Sequence, residues 1–445
     1  MAVVRSLPQA VALVLLAAQA CTPAVSSGAP SARPAAPTPS ASGTRPAVSS
    51  GLATAPHAIV GPVRAWYLVP DGLTRDTVHI AVTFPDGDPS AGTPRARLRS
   101  NGRVVTLERS RDVPASWQAE LPLDSVVPGD QRFEVIVRLA TGEDAVVGER
   151  DFKASAPEYV VWTLDFEGDA AGDDELANTA AIADGLHIPM TLMWNPRVWT
   201  TTQVSAARAD TMLAWTKARA AKGDEVALHI HAWTDFVRDA GVAPRTAPNW
   251  AGRSDGYDVP LTAFDEGETR KLLDRALALM SAHGLPQPTS FRGGGLFGNA
   301  ANLRAVAAAG FTVDASGTSA GVFGQLQLPW TLAKNAQPYR PSSADANATG
   351  DLPLLEVPNI AGNTYGLTVN TIVSTLRDDL AMIAPPAQPA TAGRVLTLVS
   401  HPATIDESER GAIEALFRAF APYRYDADVG PLRFVTLAQL AQALK

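Results

Sequence analysis

The chain has 445 residues, more than one ordinary domain needs, so two folded domains are expected. Hydrophobic residues make up 46%, which excludes global disorder, and a net charge of −8 offers no basic footprint for nucleic acid. A single cysteine, Cys21, excludes both a disulfide framework and a cysteine-rich metal site.

The N-terminus reads "VRSLPQAVALVLLAAQAC". Arg5 supplies a positive start, residues 10–18 an apolar core, and Ala18, Gln19 and Ala20 a small-residue approach to Cys21. That is signal-peptide grammar over residues 1–21, and the run is short for a membrane span. A cysteine directly after such a run resembles the lipobox of bacterial lipoproteins, with Ala18 where leucine is usual. The resemblance implies that Cys21 is lipidated and that the mature chain is exported and lipid-anchored in the cell envelope, at the outer membrane or in the periplasm. An ordinary secretory signal cleaved nearby is the other reading. Residues 22–57 are dominated by Pro, Ala, Ser and Gly and cannot bury enough surface to fold, so they are expected to be a disordered tether.

From 58 to 155 the pattern turns to short alternating runs, "TVHIAVTF", "RVVTLERS", "SWQAELPL" and "QRFEVIVRL", separated by Gly, Pro and Asp turns. Strands at that spacing predict an all-β sandwich of immunoglobulin or fibronectin type. Trp117 opens one of these strands, as a core aromatic or as a platform for a sugar.

From 156 to 445 apolar strands alternate with amphipathic helices. The strand candidates are 158–165, 188–194, 225–231, 289–292, 311–314, 353–357, 395–400 and 432–435. "DEGETRKLLDRALALMSAHG" opens with Asp265 three residues before Glu268, the spacing of a capping box. Repeated strand–helix units imply a parallel sheet, here closed into a barrel, and in such barrels the chemistry gathers where strands run out at their C-terminal ends.

Five strands meet that rule. "YVVWTLDFEGD" runs out at Asp165, Glu167 and Asp169, and side chains at i and i+2 share a face, so Asp165 and Glu167 point into one space. Two carboxylates there repel unless a cation or a proton separates them. "EVALHIHAW" puts His229 and His231 on one face by the same period, where two neutral imidazoles can chelate one divalent cation. Arg292 leaves its strand into three glycines in "FRGGG" and needs an anionic partner, for which Asp165 is the candidate. "FTVDASG" ends at Asp314 and "VLTLVSHP" at His401.

Taken in order, these segments resemble the polysaccharide deacetylase family, the NodB-homology carbohydrate esterases, over roughly residues 157–440. The resemblance implies a distorted (β/α)7-type barrel binding one divalent metal, zinc above all, with cobalt or manganese as alternatives. It implies Asp165 as general base, Arg292 as the residue that steadies it, His401 as general acid and Asp314 as the aspartate that tunes that acid. Phe166 occupies the place of the family's usual metal-binding aspartate, and Glu167 fits the variant with an acid two residues on, with Asp169 as fallback. The family's second histidine, four residues after the first, is Trp233 here, so His229 and His231 match the "LHIHPW"-like form. Metal-activated water would then remove N- or O-acetyl groups from an acetylated polysaccharide. Two rival readings use the same residues: a glycan-binding lipoprotein without catalysis, and an amidase acting on a non-sugar substrate. Trp194, Trp199, Trp233 and Trp250 lie near strand ends or in the insertion 234–262, as sugar platforms or as packing, and that insertion is expected to wall one side of the cleft.

Overall fold

The structure, a computed structural model, describes residues 55–445 apart from 71, 74, 75, 90, 114, 369 and 370. The signal peptide expected at 1–21, Cys21 and nearly all of the 22–57 tether lie outside the described residues. No helix among the described residues is long and apolar enough to cross a membrane.

Residues 59–155 form two mostly antiparallel sheets over one apolar cluster. One sheet holds strands Ile59–Val60, Thr77–Thr83, Ser116–Pro122 and Glu108–Arg109; the other holds Trp66–Leu68, Asp144–Ser155, Gly129–Arg138, Arg95–Leu98 and Val104–Thr106. Alternation sets the inward face: Val78, Ile80 and Val82 are buried while His79 between them is exposed. Trp117 is half-buried, and its Nε1 donates to Asp88 at 2.9 Å.

Residues 158–445 form the second part. Its parallel strands are β1 (Glu158–Asp165), β2 (Met190–Trp194), β3 (Glu225–Ile230), β4 (Ser290–Gly293), β5 (Val313–Asp314), β6 (Leu355–Glu356), β7 (Arg394–Ser400) and β8 (Leu432–Phe434). Helices α1 (Asp173–Leu186), α2 (Ala206–Ala221), α3 (Thr234–Asp239), α4 (Glu266–Ala282), α5 (Ala300–Ala308), α6 (Ile372–Leu380), α7 (Glu407–Ala419) and α8 (Leu437–Ala443) lie between or after them. The sheet order is β6-β5-β4-β3-β2-β1-β7, with β8 pairing the first three residues of β1. The gap between β6 and β7 is bridged by non-strand backbone: Ala361 and Thr364 donate to Thr397 and Val399 carbonyls, at 3.2 and 2.8 Å. The result is a curled, incompletely laddered barrel.

Local chemistry sets the elements. All eight residues of β1 are buried, as a central strand covered on both faces requires. The capping box expected at Asp265 and Glu268 opens α4, and Asn299 with Asn302 opens α5 in the same way. β5 and β6 are shorter than the patterns at 311–314 and 353–357 suggest. Just past each, side chains take over the backbone partners: Asp314 accepts from Ser316, and Glu356 from the Gly317 N–H.

The all-β part leads into β1 through two residues, Ala156 and Pro157, and packs on the end of the barrel where strands begin. There Tyr425, before β8, donates to Asp76 at 2.5 Å, and the Ala65 and Trp66 N–H groups donate to Asp428. The strand C-termini open on the opposite side.

Two acids lie buried in this lower region, Glu158 at 1% exposure and Asp379 at 2%. Burial pushes Glu158 up to about 7, against the Ala384 N–H that it accepts at 2.6 Å. Burial, and then Asp378, push Asp379 up to about 8. Above the unfolded carboxyl pKa of about 4 the unfolded chain has released protons that the folded chain still holds, so stability falls as pH rises toward 7–8. Glu158→Gln and Asp379→Asn should therefore raise the melting temperature at pH 8 by about 1–3 °C relative to their effect at pH 5. Equal shifts at both pH values, read by differential scanning calorimetry, would contradict the assignment.

Candidate active site

The turn after β1 is built to aim two carboxylates one way. Phe166 lies between them and turns into the core, its N–H on the Met193 carbonyl at 3.0 Å and its ring 5.2 Å from Trp194. Asp165 and Glu167 therefore share the other side, as the period-two argument requires. Gly168 follows in the left-handed region, where a Cβ would meet the Asn195 side chain at 3.0 Å. Two bonds hold the carbonyls of this turn. Trp233 Nε1 donates to Glu167 O at 2.9 Å, and Arg197 Nη1 to Gly168 O at 2.8 Å. Arg197 is buried, lies 3.6 Å over the Trp233 ring and is paired with Asp235.

Arg292, at the end of β4, is fully buried and its bonds reach three segments. Nη1 donates to Asp165 Oδ1 at 2.6 Å and Thr163 Oγ1 at 2.7 Å, Nη2 to Asn359 Oδ1 at 2.7 Å, and Nε to Ala315 O at 2.8 Å. Asp165 is thus the partner that a buried guanidinium there demands. Its second oxygen, Oδ2, faces His229 Nε2 at 4.0 Å.

The two imidazoles have their tautomers fixed from behind. His229 Nδ1 meets the Arg292 carbonyl at 3.0 Å and His231 Nδ1 the Tyr257 carbonyl at 2.7 Å, so each Nδ1 carries hydrogen and donates. Burial pushes His229 down to about 4, outweighing the pull of Asp165 and Glu167, so it is neutral at pH 7. Its Nε2 lone pair is buried without a hydrogen-bond partner, 3.8 Å from Glu167 Oε1. His231 behaves differently. Burial opposes its charge, but Glu167, 2.5 Å from its Nε2, pushes its pKa above the usual imidazole value. Burial would raise Glu167, yet His231, His401 and His229 together hold it far below the ordinary carboxylate range.

A lone pair set among carboxylate oxygens is repulsive unless something positive lies between them. Glu167, His229 and His231 each offer a ligand atom, all within 4.8 Å of one another, in the N/O mixture that zinc-like ions take. The residues fit such an ion. Asp165, Glu167 and His401 form a second set within the same span, which brings the expected base and acid side by side. His401 Nε2 lies 3.3 Å from Glu167 Oε1.

One expectation is corrected, and one fallback drops out. Asp314 does not reach His401: its oxygens are taken by the Ser316 N–H and hydroxyl at 3.1 and 2.9 Å, and it pairs across the sheet with Glu356. Burial pushes both of these acids up, and the Asp314 charge pushes Glu356 further. The physical reason is position, since β5 and β7 are separated by β6 and the 361–364 bridge, and His401 Nδ1 is left buried without a partner. Asp169, the fallback ligand, is exposed and belongs to neither metal-capable group found among the described residues.

Several contributors escaped the pattern reading. Tyr257 donates to Glu167 Oε2 at 2.9 Å and stacks on His231 at 4.2 Å, yet it sits in the irregular stretch after α3 where no periodicity points to it. Thr163 is two residues before Asp165 on the same strand face, and the period-two rule would have found it. Asn359 lies just beyond β6, where the strand-end rule would have found it.

Asp165, Glu167 and His231 line a cleft walled on one side by Trp250, Tyr257 and Phe323 and on the other by Asn363, Val399 and His401. The insertion at 234–262 thus supplies one wall through Trp250 and Tyr257. Leu296, also in the wall, holds a left-handed backbone (φ 64°) that costs a non-glycine residue energy. Trp194 and Trp233 are buried and Trp199 stacks on His283 at 3.9 Å, so these three pack, whereas Trp250, also buried, forms part of the cleft wall.

No family model matches the chain, and no curated protein does. Solved structures resemble it weakly. One, from Mycobacterium smegmatis and described as a candidate polysaccharide deacetylase, is 16% identical with a TM-score of 0.38, over 64% of this chain and 88% of that one. A family 4 carbohydrate esterase from Streptomyces lividans, in complex with acetate, is 11% identical with a TM-score of 0.34, over 64% and 94%. A family 4 acetyl xylan esterase from Clostridium thermocellum, in complex with a cobalt ion, is 12% identical with a TM-score of 0.33, over 64% and 90%. These structural neighbours are carbohydrate-esterase deacetylases, and at such scores the functional reading of this chain rests on its own side chains.

We expect the purified chain to bind one divalent ion. Because Glu167 raises the pKa of His231, binding below that pKa displaces a proton, and affinity falls as pH is lowered through this range. Titration calorimetry in buffers of different ionisation enthalpy measures that proton. His229→Ala and Glu167→Ala should each weaken binding by at least about 100-fold, since even supporting residues of metal sites cost 10–100-fold.

Proposed function

We propose that this chain is a metal-dependent hydrolase that removes N- or O-acetyl groups from a polysaccharide at or outside the cell surface. One observation carries the reading: Asp165, Glu167, His229, His231 and His401 converge at the open end of the barrel, with an orphaned imidazole lone pair facing two carboxylates.

Glu167, His229 and His231 would hold the ion, which when bound supplies Lewis acidity to an acyl carbonyl and to water. The chain's own groups do the rest. Arg292 keeps Asp165 Oδ1 occupied, so Oδ2 is the oxygen that takes the proton of the attacking water. His401 Nε2, on the far side of Glu167, gives a proton to the departing amine or alcohol as its bond to the acyl carbon breaks and acetate leaves. The Arg292 carbonyl holds His229 and the Tyr257 carbonyl holds His231 in the tautomers that keep Nε2 toward the acids. Trp250 and Leu296 narrow the cleft and thin the water around the reacting centre. In this reading Cys21 carries a lipid that tethers the exported chain to the envelope. The all-β part, an immunoglobulin-like sandwich, spaces the barrel from the tether.

Asp165→Asn keeps an acceptor for Arg292 and should leave the circular dichroism spectrum unchanged, while acetate release from acetylated chitooligosaccharide, peptidoglycan or xylan falls about 10²–10⁴-fold. Activity within tenfold of wild type would remove Asp165 as the base. Dialysis against a strong chelator should abolish release, and zinc, cobalt or manganese should restore it. Release that survives chelation would sink the metal-dependent reading.

A further inference from the structure

The chain contains 9 tryptophans, 7 tyrosines and 13 phenylalanines, all at described positions, and of these only Phe323 (38%) and Tyr365 (68%) are exposed. Single exposed apolar residues are ordinary on a protein surface. What is not ordinary is that Phe323 lines the cleft while Tyr365 stands against His401, which lines it too.

Phe323 is presented by the two-stranded hairpin Val322–Phe323 and Leu326–Gln327. The hairpin tip is seated on Trp250: the Gln325 N–H donates to the Trp250 carbonyl at 2.9 Å, and a Cβ on Gly324 would lie 2.0 Å from that oxygen. The ring meets Trp250 at 63° and Phe297 at 69°, so its neighbours support it at steep angles rather than by stacking. Tyr365 is held from the other wall. Its N–H donates to Asn363 Oδ1 at 2.9 Å, and the preceding Thr364 is locked by Ser400 at 2.7 Å and Glu409 at 3.0 Å. The Tyr365 ring stands edge-on to His401, centroids 5.9 Å apart at 83°. Both rings are thus fixed through their backbones while an aromatic surface stays open to solvent. A flat apolar ring of this kind fits the C–H face of a pyranose and loses little conformational entropy in doing so.

We propose that Phe323 and Tyr365 are two sugar-stacking platforms on separate walls of the cleft, so that the site takes an internal residue of an extended glycan chain. The proposal rests on the hydrolase reading for its reacting centre, but the platforms are tested by binding alone. Phe323 belongs to the loop after β5 and Tyr365 follows the bridge after β6; Asp165, Glu167 and His401 line the cleft with Phe323, and Tyr365 stands against His401. A chain residue seated over those groups has neighbours on both sides, and each neighbour meets a ring.

The test is calorimetric binding to the full chain, freed of metal so that nothing is consumed. The probes are N-acetylglucosamine oligomers and acetylated xylose oligomers, each of one to six residues. Affinity should rise at least tenfold from one residue to four on one ladder. Tyr365→Ala and Phe323→Ala should each remove most of that gain, about tenfold or 1.4 kcal/mol, from the tetramer. Tyr365→Trp should keep the gain and Tyr365→Leu should lose it, because stacking needs a flat ring rather than mere apolar bulk. No gain with length on either ladder, or a gain that both alanine variants retain, overturns the proposal. So does a dimer in light scattering that Phe323→Ala disperses, which would make the exposed pair an interface between copies. Acetate release by the metal-loaded wild type, measured in parallel, reports separately on the hydrolase reading.

Discussion

The guanidinium of Arg292 is the constraint on which the site depends. It is fully out of water, a state that costs several kcal/mol unless every donor is met. The partners come from three places: Thr163 and Asp165 on β1, Ala315 beyond β5, and Asn359 beyond β6. Its own carbonyl receives His229 from β3. One side chain therefore fixes the relative height of four strand ends, and with them the direction in which Asp165 Oδ2 and His229 Nε2 look. The barrel is weakly laddered here, since β5 and β6 have two residues each, so this polar knot supplies order that main-chain bonding does not. Loss of one partner from such a pair costs about 3–5 kcal/mol. Asp314 and Glu356 lie in the field of the same cation, which opposes the upward push that burial gives both carboxyls.

Much of this was legible in residue order because strands obey a period of two and barrels place chemistry at strand ends. Asp165 with Glu167, and His229 with His231, follow from that period alone, and Arg292 follows from the need of a buried cation for an anion. The helix start at Asp265 followed from capping chemistry, which is local. Where the reading failed, the determinant was nonlocal. Asp314 ends a strand, as expected, but what it faces depends on how far β5 lies from β7 around the curl, and no spacing encodes that. Tyr257 acts through the path of an irregular loop. The tryptophans resisted assignment for a related reason: the same residue is a platform or a packing unit depending on its neighbours, and here the exposed rings belong to residues of other types.

The glycines of "FRGGG" acquire a concrete meaning in the same way. A Cβ on Gly294 would lie 2.7 Å from His231 Nδ1, and one on Gly295 would lie 2.8 Å from the Trp250 ring. Backbone passes against the imidazole and the cleft wall at distances that no side chain allows, so the run is a packing requirement of the site rather than a flexible hinge.

Trp233 shows how past choices bind future ones. Its indole lies under Arg197, which is anchored by Asp235 and by the carbonyl of Gly168. A histidine placed at 233 by one substitution would set an imidazole against the permanently positive Arg197. It would also remove the indole donor that holds the Glu167 carbonyl. The two-residue spacing of the imidazoles and the buried arginine therefore constrain each other: position 233 is held by packing and cannot take a ligand without undoing the turn that aims Glu167.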